Sequence, residues 1–138
     1  MNSRLNPYIA FDGNAKEAME LYTNVFGGKL TMTTFKEGGA PHDPSEENKI
    51  MHAMLIADNG ITIMASDTAK KWGYSPNTNI SISLSGDAEA ELKGYWDKLS
   101  DGAQIEQPLT QAPWGDTFGM LTDTFGIRWM VNITGKKS

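Results

Sequence analysis

The sequence predicts an α+β fold: two tandem βαβββ modules building one curved, eight-stranded mixed sheet with the helices outside. Two observations predict it. The order strand, helix, three strands can be read twice along the 138 residues, and residue-level matches tie the two readings together. At a constant offset of 66, Met54, Leu55, Gly60, Ile61 and Met64 align with Met120, Leu121, Gly126, Ile127 and Met130. At an offset of 73, Gly13, Ala15 and Phe26 align with Gly86, Ala88 and Leu99. The offsets differ because the connecting loops differ in length. Neither unit can bury both faces of a short sheet alone, so the two are expected to pair around a concavity. The expectation is a single domain over residues 1–138, with module one at about 5–67 and module two at about 79–134.

Leu5 to Phe11 is apolar and aromatic enough for a strand, and Asp12-Gly13-Asn14 breaks it. Asn14 and Glu17 have the spacing of a capping box. Ala15, Ala18, Met19, Tyr22, Val25 and Phe26 then fall on one helical face, and Gly27-Gly28 supplies a left-handed stop. Lys29 to Phe35 is β-branched and alternating, whereas the polar stretch Lys36 to Lys49 reads as a loop and a candidate lid. Ile50 to Ala57 and Ile61 to Ser66 flank Asp58-Asn59-Gly60, a strong hairpin signal. Asp67 to Thr78, with Trp72 and Pro76, reads as a connector. Asn79 to Ser85 alternates strictly, as a strand with one buried face does. Asp87 is placed to cap a second helix whose apolar face is Ala88, Leu92, Tyr95, Trp96 and Leu99. Gln104 to Gln107 is a short strand and Pro108 to Gly115 a loop; Phe118 to Thr122 and Ile127 to Ile133 form a second hairpin around Asp123 to Gly126.

Composition narrows the function classes. With no Cys, disulfides and thiolate metal sites are excluded. Twelve Lys plus Arg against 17 Asp plus Glu give a formal net charge of −5, and no predicted helix carries a basic stripe. Such a chain repels phosphate backbones, so no nucleic-acid partner is expected. No apolar run approaches a membrane span, and MNSRLNPYIAF lacks the basic start and apolar core of a signal peptide. A cytoplasmic protein without a membrane partner is the expectation. Neither Gly27-Gly28 nor Gly38-Gly39 carries a phosphate-loop ending, and no cofactor is predicted.

Eight Met and four Trp are many for this length, and thioethers adapt to varied ligands as well as filling cores. Of the two histidines, His42 lies in the polar loop beside Asp43 and reads as solvated. His52 stands two residues before Met54 in a predicted strand, either as a general base or ligand-bonding group facing the concavity, or as an ordinary strand histidine. Ser66 follows the Met64 strand and either reaches a ligand or forms a turn. Trp114, Phe118, Met120, Trp129 and Met130 make the richest aromatic and thioether cluster. The candidate cavity set is therefore His52, Met54, Met64, Ser66, Trp114, Phe118, Met120, Trp129 and Met130, with core or dimer interface as the competing role for each.

The stretches FDGNAKEAMELYTNVFGGKL, KIMHAMLIADNGITIMASD and WGDTFGMLTDTFGIRWMV resemble the PhnB-like branch of the vicinal-oxygen-chelate superfamily, which includes glyoxalases, bleomycin-resistance proteins and dioxygenases. The resemblance covers nearly the whole chain. It implies the glyoxalase/bleomycin-resistance fold, a U-shaped sheet around a ligand cavity, and a homodimer. In catalytic members, four His or Glu side chains, from the first and last strand of each module, hold a metal. Carried over by position, these fall at Pro7, Met64, Asn79 and Met130, poor ligands for a divalent ion, so no metal is expected. PhnB-like proteins also bear a demethylubiquinone methyltransferase label. The Gly-rich turn, downstream acidic residue and larger doubly wound sheet typical of such an enzyme are missing from this sequence.

The reading that follows is a metal-free homodimer binding a small organic ligand in the concave sheet, without a committed reaction. The alternative is a metal-dependent lyase, isomerase or dioxygenase of the glyoxalase type with an unconventional site around His52. A third reading is a structural dimer whose own side chains fill the cavity.

Overall fold

A computed structural model describes residues 3, 5–39, 42–69, 73, 74 and 79–135. Trp72 and Pro76 of the predicted connector lie outside the described residues. The chain divides into two compact units, Met1–Pro76 and Asn77–Ser138.

In the first unit, β1 (Tyr8–Phe11) leads into α1 (Ala15–Phe26) and β2 (Lys29–Thr34). A short α2 (Phe35–Gly38) and a 3-10 turn (Pro44–Glu46) precede β3 (Ile50–Ile56) and β4 (Thr62–Asp67). The sheet order is β1-β4-β3-β2, with β1 parallel to β4 and the remaining pairs antiparallel. The second unit repeats the order with β5 (Ile82–Gly86), α3 (Glu89–Ser100), β6 (Gln104–Gln111), β7 (Thr117–Thr122) and β8 (Arg128–Ile133), as a sheet β5-β8-β7-β6. Each unit is thus one βαβββ module with its own four-stranded mixed sheet, and the chain is α+β.

Each sheet presents alternate residues to its helix. Ile9, Phe11, Ala53, Leu55, Ile63 and Ala65 are buried, as is the α1 stripe Ala15, Ala18, Met19, Tyr22, Val25 and Phe26. In the second unit Leu84, Leu121, Trp129, Val131 and Ile133 are buried with Leu92, Tyr95, Trp96 and Leu99 of α3. The offset of 66 is visible in the hydrogen bonds of the two hairpins. Ala57 N donates to Ile61 O at 2.8 Å and Gly60 N to Ala57 O at 2.9 Å, while Asp123 N donates to Ile127 O at 2.8 Å and Gly126 N to Asp123 O at 2.9 Å. The offset of 73 reappears in the buried helix pairs Met19 and Leu92, Tyr22 and Tyr95, and Phe26 and Leu99.

Several local expectations are corrected. The Asn14 side chain does not cap α1. The Asp67 carboxylate, arriving from the end of β4, accepts from Gly13 N and Ala15 N, both at 2.9 Å, and does the capping instead. Ala88, not Asp87, occupies the cap position of α3 and is exposed, with Glu89 N bonding to the Asp87 carbonyl. Within 36–49 the described residues, 36–39 and 42–49, form no open loop. Thr34 with Glu37 and Asp43 with Glu46 form capping boxes, Phe35 N donates to Lys49 O at 3.0 Å, and Phe35 and Glu46 are buried. Strand β6 runs on through Pro108 to Gln111. That is tolerable because β6 is an edge strand, where a missing N–H breaks no ladder to a further neighbour, and the register shifts between Gln107 and Thr110.

Candidate functional site

Alternation leaves each sheet a second face, turned away from its helix. On the first unit's open face, Tyr8 pairs with Met64, Met64 with Met54, and Met54 with Thr31, a row crossing all four strands. One step along, Ala10 pairs with Ser66 and His52 with Thr33. Met54, Met64, Ser66 and His52 are half-buried, whereas their strand neighbours Ala53, Leu55 and Ala65 are fully covered. Tyr8 and His52 lie on β1 and β3, with β4 between them, yet their ring centroids come within 6.0 Å at a tilt of 52°.

On the second unit's open face the corresponding row is Ser83, Met130, Met120 and Gln107, and the next is Ser85, Asn132, Phe118 and Thr110. At one end Arg128 lies 3.6 Å from the Glu106 carboxylate, which also accepts from the Thr122 hydroxyl. At the other end Asp116 accepts from Gly135 N at 2.8 Å and from Asn132 Nδ2 at 3.1 Å. The Gly135 N–H, then Asn132, with a smaller share from Trp114, hold its carboxyl below the usual range against a small opposing desolvation.

The first unit thus brings together His52, Met54, Met64 and Ser66, and the second brings together Phe118, Met120 and Met130. Two predicted cavity residues are elsewhere. Trp129 is 1% exposed on the helix-facing side, its indole Nε1 donating to Asp123 Oδ2 at 2.8 Å. Neighbours along a strand face opposite ways, so Trp129 and Met130 cannot share a surface. Trp114 sits in the turn between β6 and β7, 69% exposed and off the sheet rows. Tyr8 and Thr31 complete the first row, although the sequence reading did not single them out. Their signal is register: Tyr8, not Pro7, stands beside Met64, and Pro7 contributes only its carbonyl to Met64 N at 3.0 Å.

Register also corrects Asn79, which precedes β5. Ser83 stands beside Met130 as Tyr8 stands beside Met64, so Ile82 and Ser83 are the counterparts of Pro7 and Tyr8. The positions that the family resemblance implies for metal ligands therefore carry Tyr8 or Pro7, Ser83 or Ile82, Met64 and Met130. Thioethers and a serine hydroxyl do not fit a hard or borderline divalent ion. Among the described residues, no three His, Asp or Glu side chains converge in a metal-binding group.

A cavity of about 610 Å³ opens at the end of β2 and β3, lined by Gly28, Lys29, Thr31, Met54, Ile56, Ala57 and Asp58. Met54 is the one predicted residue in its wall.

Tandem βαβββ units with these open faces define the glyoxalase/bleomycin-resistance class of fold. A glyoxylase/bleomycin resistance protein/dioxygenase domain from Frankia sp. EAN1pec matches with a TM-score of 0.65 at 14% identity, over 100% of this chain and 96% of that one, a likeness of fold alone. The family model described as 3-demethylubiquinone-9 3-methyltransferase matches residues 3–132. The chain belongs to that PhnB-like family. It is 30% identical to protein YjdN of Escherichia coli K12 over 94% of both chains. Protein PA1353 of Pseudomonas aeruginosa is 36% identical with a TM-score of 0.84, over 98% of this chain and 100% of that one. The PhnB protein of Bacillus cereus is 25% identical with a TM-score of 0.73, over 96% and 100%.

Proposed function

We propose that this protein binds a small, largely apolar organic ligand on the open sheet faces, without a metal ion, as a cytoplasmic homodimer. The observation that carries the reading is the paired thioether row: Met54 beside Met64 and Met120 beside Met130, both half-buried on the face turned from the helix. Partly exposed thioethers flanked by Tyr8, Thr31, Ser83 and Gln107 offer an adaptable apolar surface with hydroxyl and amide groups at its margins.

The family's descriptive name denotes a methyl transfer, whose donor would need a built site. The turn before a helix N-terminus is where such a cofactor's anionic group would sit. In the first unit the Gly13 and Ala15 N–H groups of that turn are already taken by Asp67. That turn of the first unit therefore offers such a group no free donor at Gly13 or Ala15.

Native mass spectrometry of the protein as purified, repeated after denaturation, tests the reading. A dimer carrying an organic mass excess, lost on denaturation, is the expected result. An excess of one divalent ion per chain would overturn it and make glyoxalase-type lyase, isomerase or dioxygenase chemistry the leading idea. His52, half-buried on the first unit's open face, is the residue on which that second reading turns, and loss of the bound ion in His52→Ala would support it.

A further inference from the structure

The cavity at the end of β2 and β3 is lined by both charges, and unlike Arg128 and Glu106 on the second unit's open face they are not paired with each other. Lys29 and Asp58 are exposed, and among the described residues neither side chain is engaged in an ion pair or side-chain hydrogen bond. The same wall holds Met54, Ile56, Ala57 and the bare backbone of Gly28. Gly28 keeps the wall thin by necessity: at φ +96° a Cβ would fall on the Ile56 carbonyl and 2.5 Å from Ala57 Cα. Ile56, 46% exposed, is an apolar side chain left facing solvent at the mouth. Asp58 is held on a firm frame, since Ala57 and Gly60 close the hairpin and Ile61 N donates to Asn59 Oδ1 at 3.2 Å.

We propose that this cavity takes an amphipathic zwitterion, with a carboxylate against Lys29, an ammonium against Asp58 and an alkyl or aryl body on Met54 and Ile56. The inference rests on the ligand-binding reading above and narrows its chemistry. A volume of about 610 Å³ lies within the ordinary range of small-molecule sites. A simple anion would meet Asp58 and a simple cation would meet Lys29, so only a ligand carrying both charges is matched by both groups. The class this describes is an amino acid, or an amino-acid-like conjugate, with a long apolar side chain.

The test is titration of the full-length protein, labelled with ¹³C on the methionine ε-methyl groups, by three octyl probes: 2-aminooctanoate, octanoate and octylamine at neutral pH. The Met54 methyl is expected to shift with all three, and 2-aminooctanoate is expected to bind about fivefold more tightly than either single-charge probe, each exposed ion pair contributing about that factor. Lys29→Gln is expected to reduce the zwitterion's affinity to that of octylamine, and Asp58→Asn to that of octanoate. Both are surface substitutions that leave the core untouched. Equal affinity for the three probes, or insensitivity to both variants, overturns the inference. Shifts at Met64, Met120 or Met130 without Met54 overturn it too, while leaving binding on the open faces standing. No shift with any probe refutes the zwitterion site, whereas the broader reading falls only if the purified protein also carries no organic mass.

Discussion

Asp67→Ala removes the acceptor of three backbone N–H groups at once. Asp67 Oδ1 accepts from Gly13 N and Ala15 N at the start of α1, and Oδ2 from Ile50 N at the start of β3, each at 2.9 Å. The residue is 3% exposed, and the bonds to Ala15 and Ile50 are buried, so water cannot replace the lost carboxylate there. An interior N–H left without a partner costs about 1–3 kcal/mol. Two fully orphaned groups and a partly hydrated third make about 3–6 kcal/mol, much of the 5–15 kcal/mol that holds a domain folded. Asp67→Asn keeps one oxygen for the Gly13 and Ala15 pair and turns its amide toward Ile50 N. It is expected to cost about 1–3 kcal/mol, roughly one bond. Urea unfolding gives the total loss, and hydrogen exchange at the Ala15 and Ile50 amides locates it. In Asp67→Asn, Ile50 should lose protection and Ala15 should keep it. A loss below about 1.5 kcal/mol for Asp67→Ala, or equal losses for the two variants, would refute the accounting.

Three further outcomes are expected. Asp123→Ala should cost about 2–4 kcal/mol by orphaning the Phe125, Ile127 and Trp129 donors, and a double-mutant cycle with Trp129→Phe should show positive coupling between the two sites; strict additivity would contradict it. Gly28→Ala should cost about 2–4 kcal/mol from strain and backbone collision, while Gly27→Ala, at φ +72° with nothing within 4 Å, should cost about 1 kcal/mol, both read by thermal unfolding. The Asp116 carboxyl is depressed by its bonds to Gly135 N and Asn132. Its contribution to stability is therefore present above the ordinary value of 3.8 and lost as pH falls through the lower folded value, so the Gly135 amide resonance should titrate with a midpoint below 3.8. A midpoint at or above 3.8, or an unchanged curve in Asp116→Asn, would count against the clasp.

The parts of the fold legible in the sequence are those set by local periodicity. The α1 stripe and the two hairpins repeated at offset 66 follow from spacing and Asn-Gly or Gly turn chemistry, and the structure places them as expected. What sequence could not supply is contact across the chain. Asp67 reaches Gly13 and Ala15 over separations of 54 and 52 residues, so nothing near Asn14 announces that its capping role is filled. The alternation of Asn79 to Ser85 fixes which face is apolar but not where the strand begins, and only the pairing of Ile82 with Trp129 sets the start of β5. Trp129 was legible in principle. In Arg128–Ile133 the large apolar residues Trp129, Val131 and Ile133 form one parity set, which assigns Met130 and Asn132 to the other face.

The internal repeat separates the demands of the core from those of the open face. On the helix-facing side the two units have diverged in compensating steps: Ala53 against Ala65 becomes Gly119 against Val131, and Leu55 against Ile63 becomes Leu121 against Trp129. The size changes fit together, since a Cβ on Gly119 would lie 2.7 Å from Trp96 Cη2, so the larger α3 aromatic is accommodated by the missing side chain. Close packing makes such trades obligatory in a core. On the open faces the flanking residues also differ, Tyr8, Thr31, His52 and Ser66 answering to Ser83, Gln107, Phe118 and Asn132, but the central pairs Met54 with Met64 and Met120 with Met130 are the same residue type at the same register. Packing alone gives half-buried positions more latitude than buried ones, so sameness there is the opposite of what a purely structural account leads one to expect. A ligand laid across both thioethers would constrain these positions, which is why the methionine pairs, rather than the histidines, are where binding should first be sought.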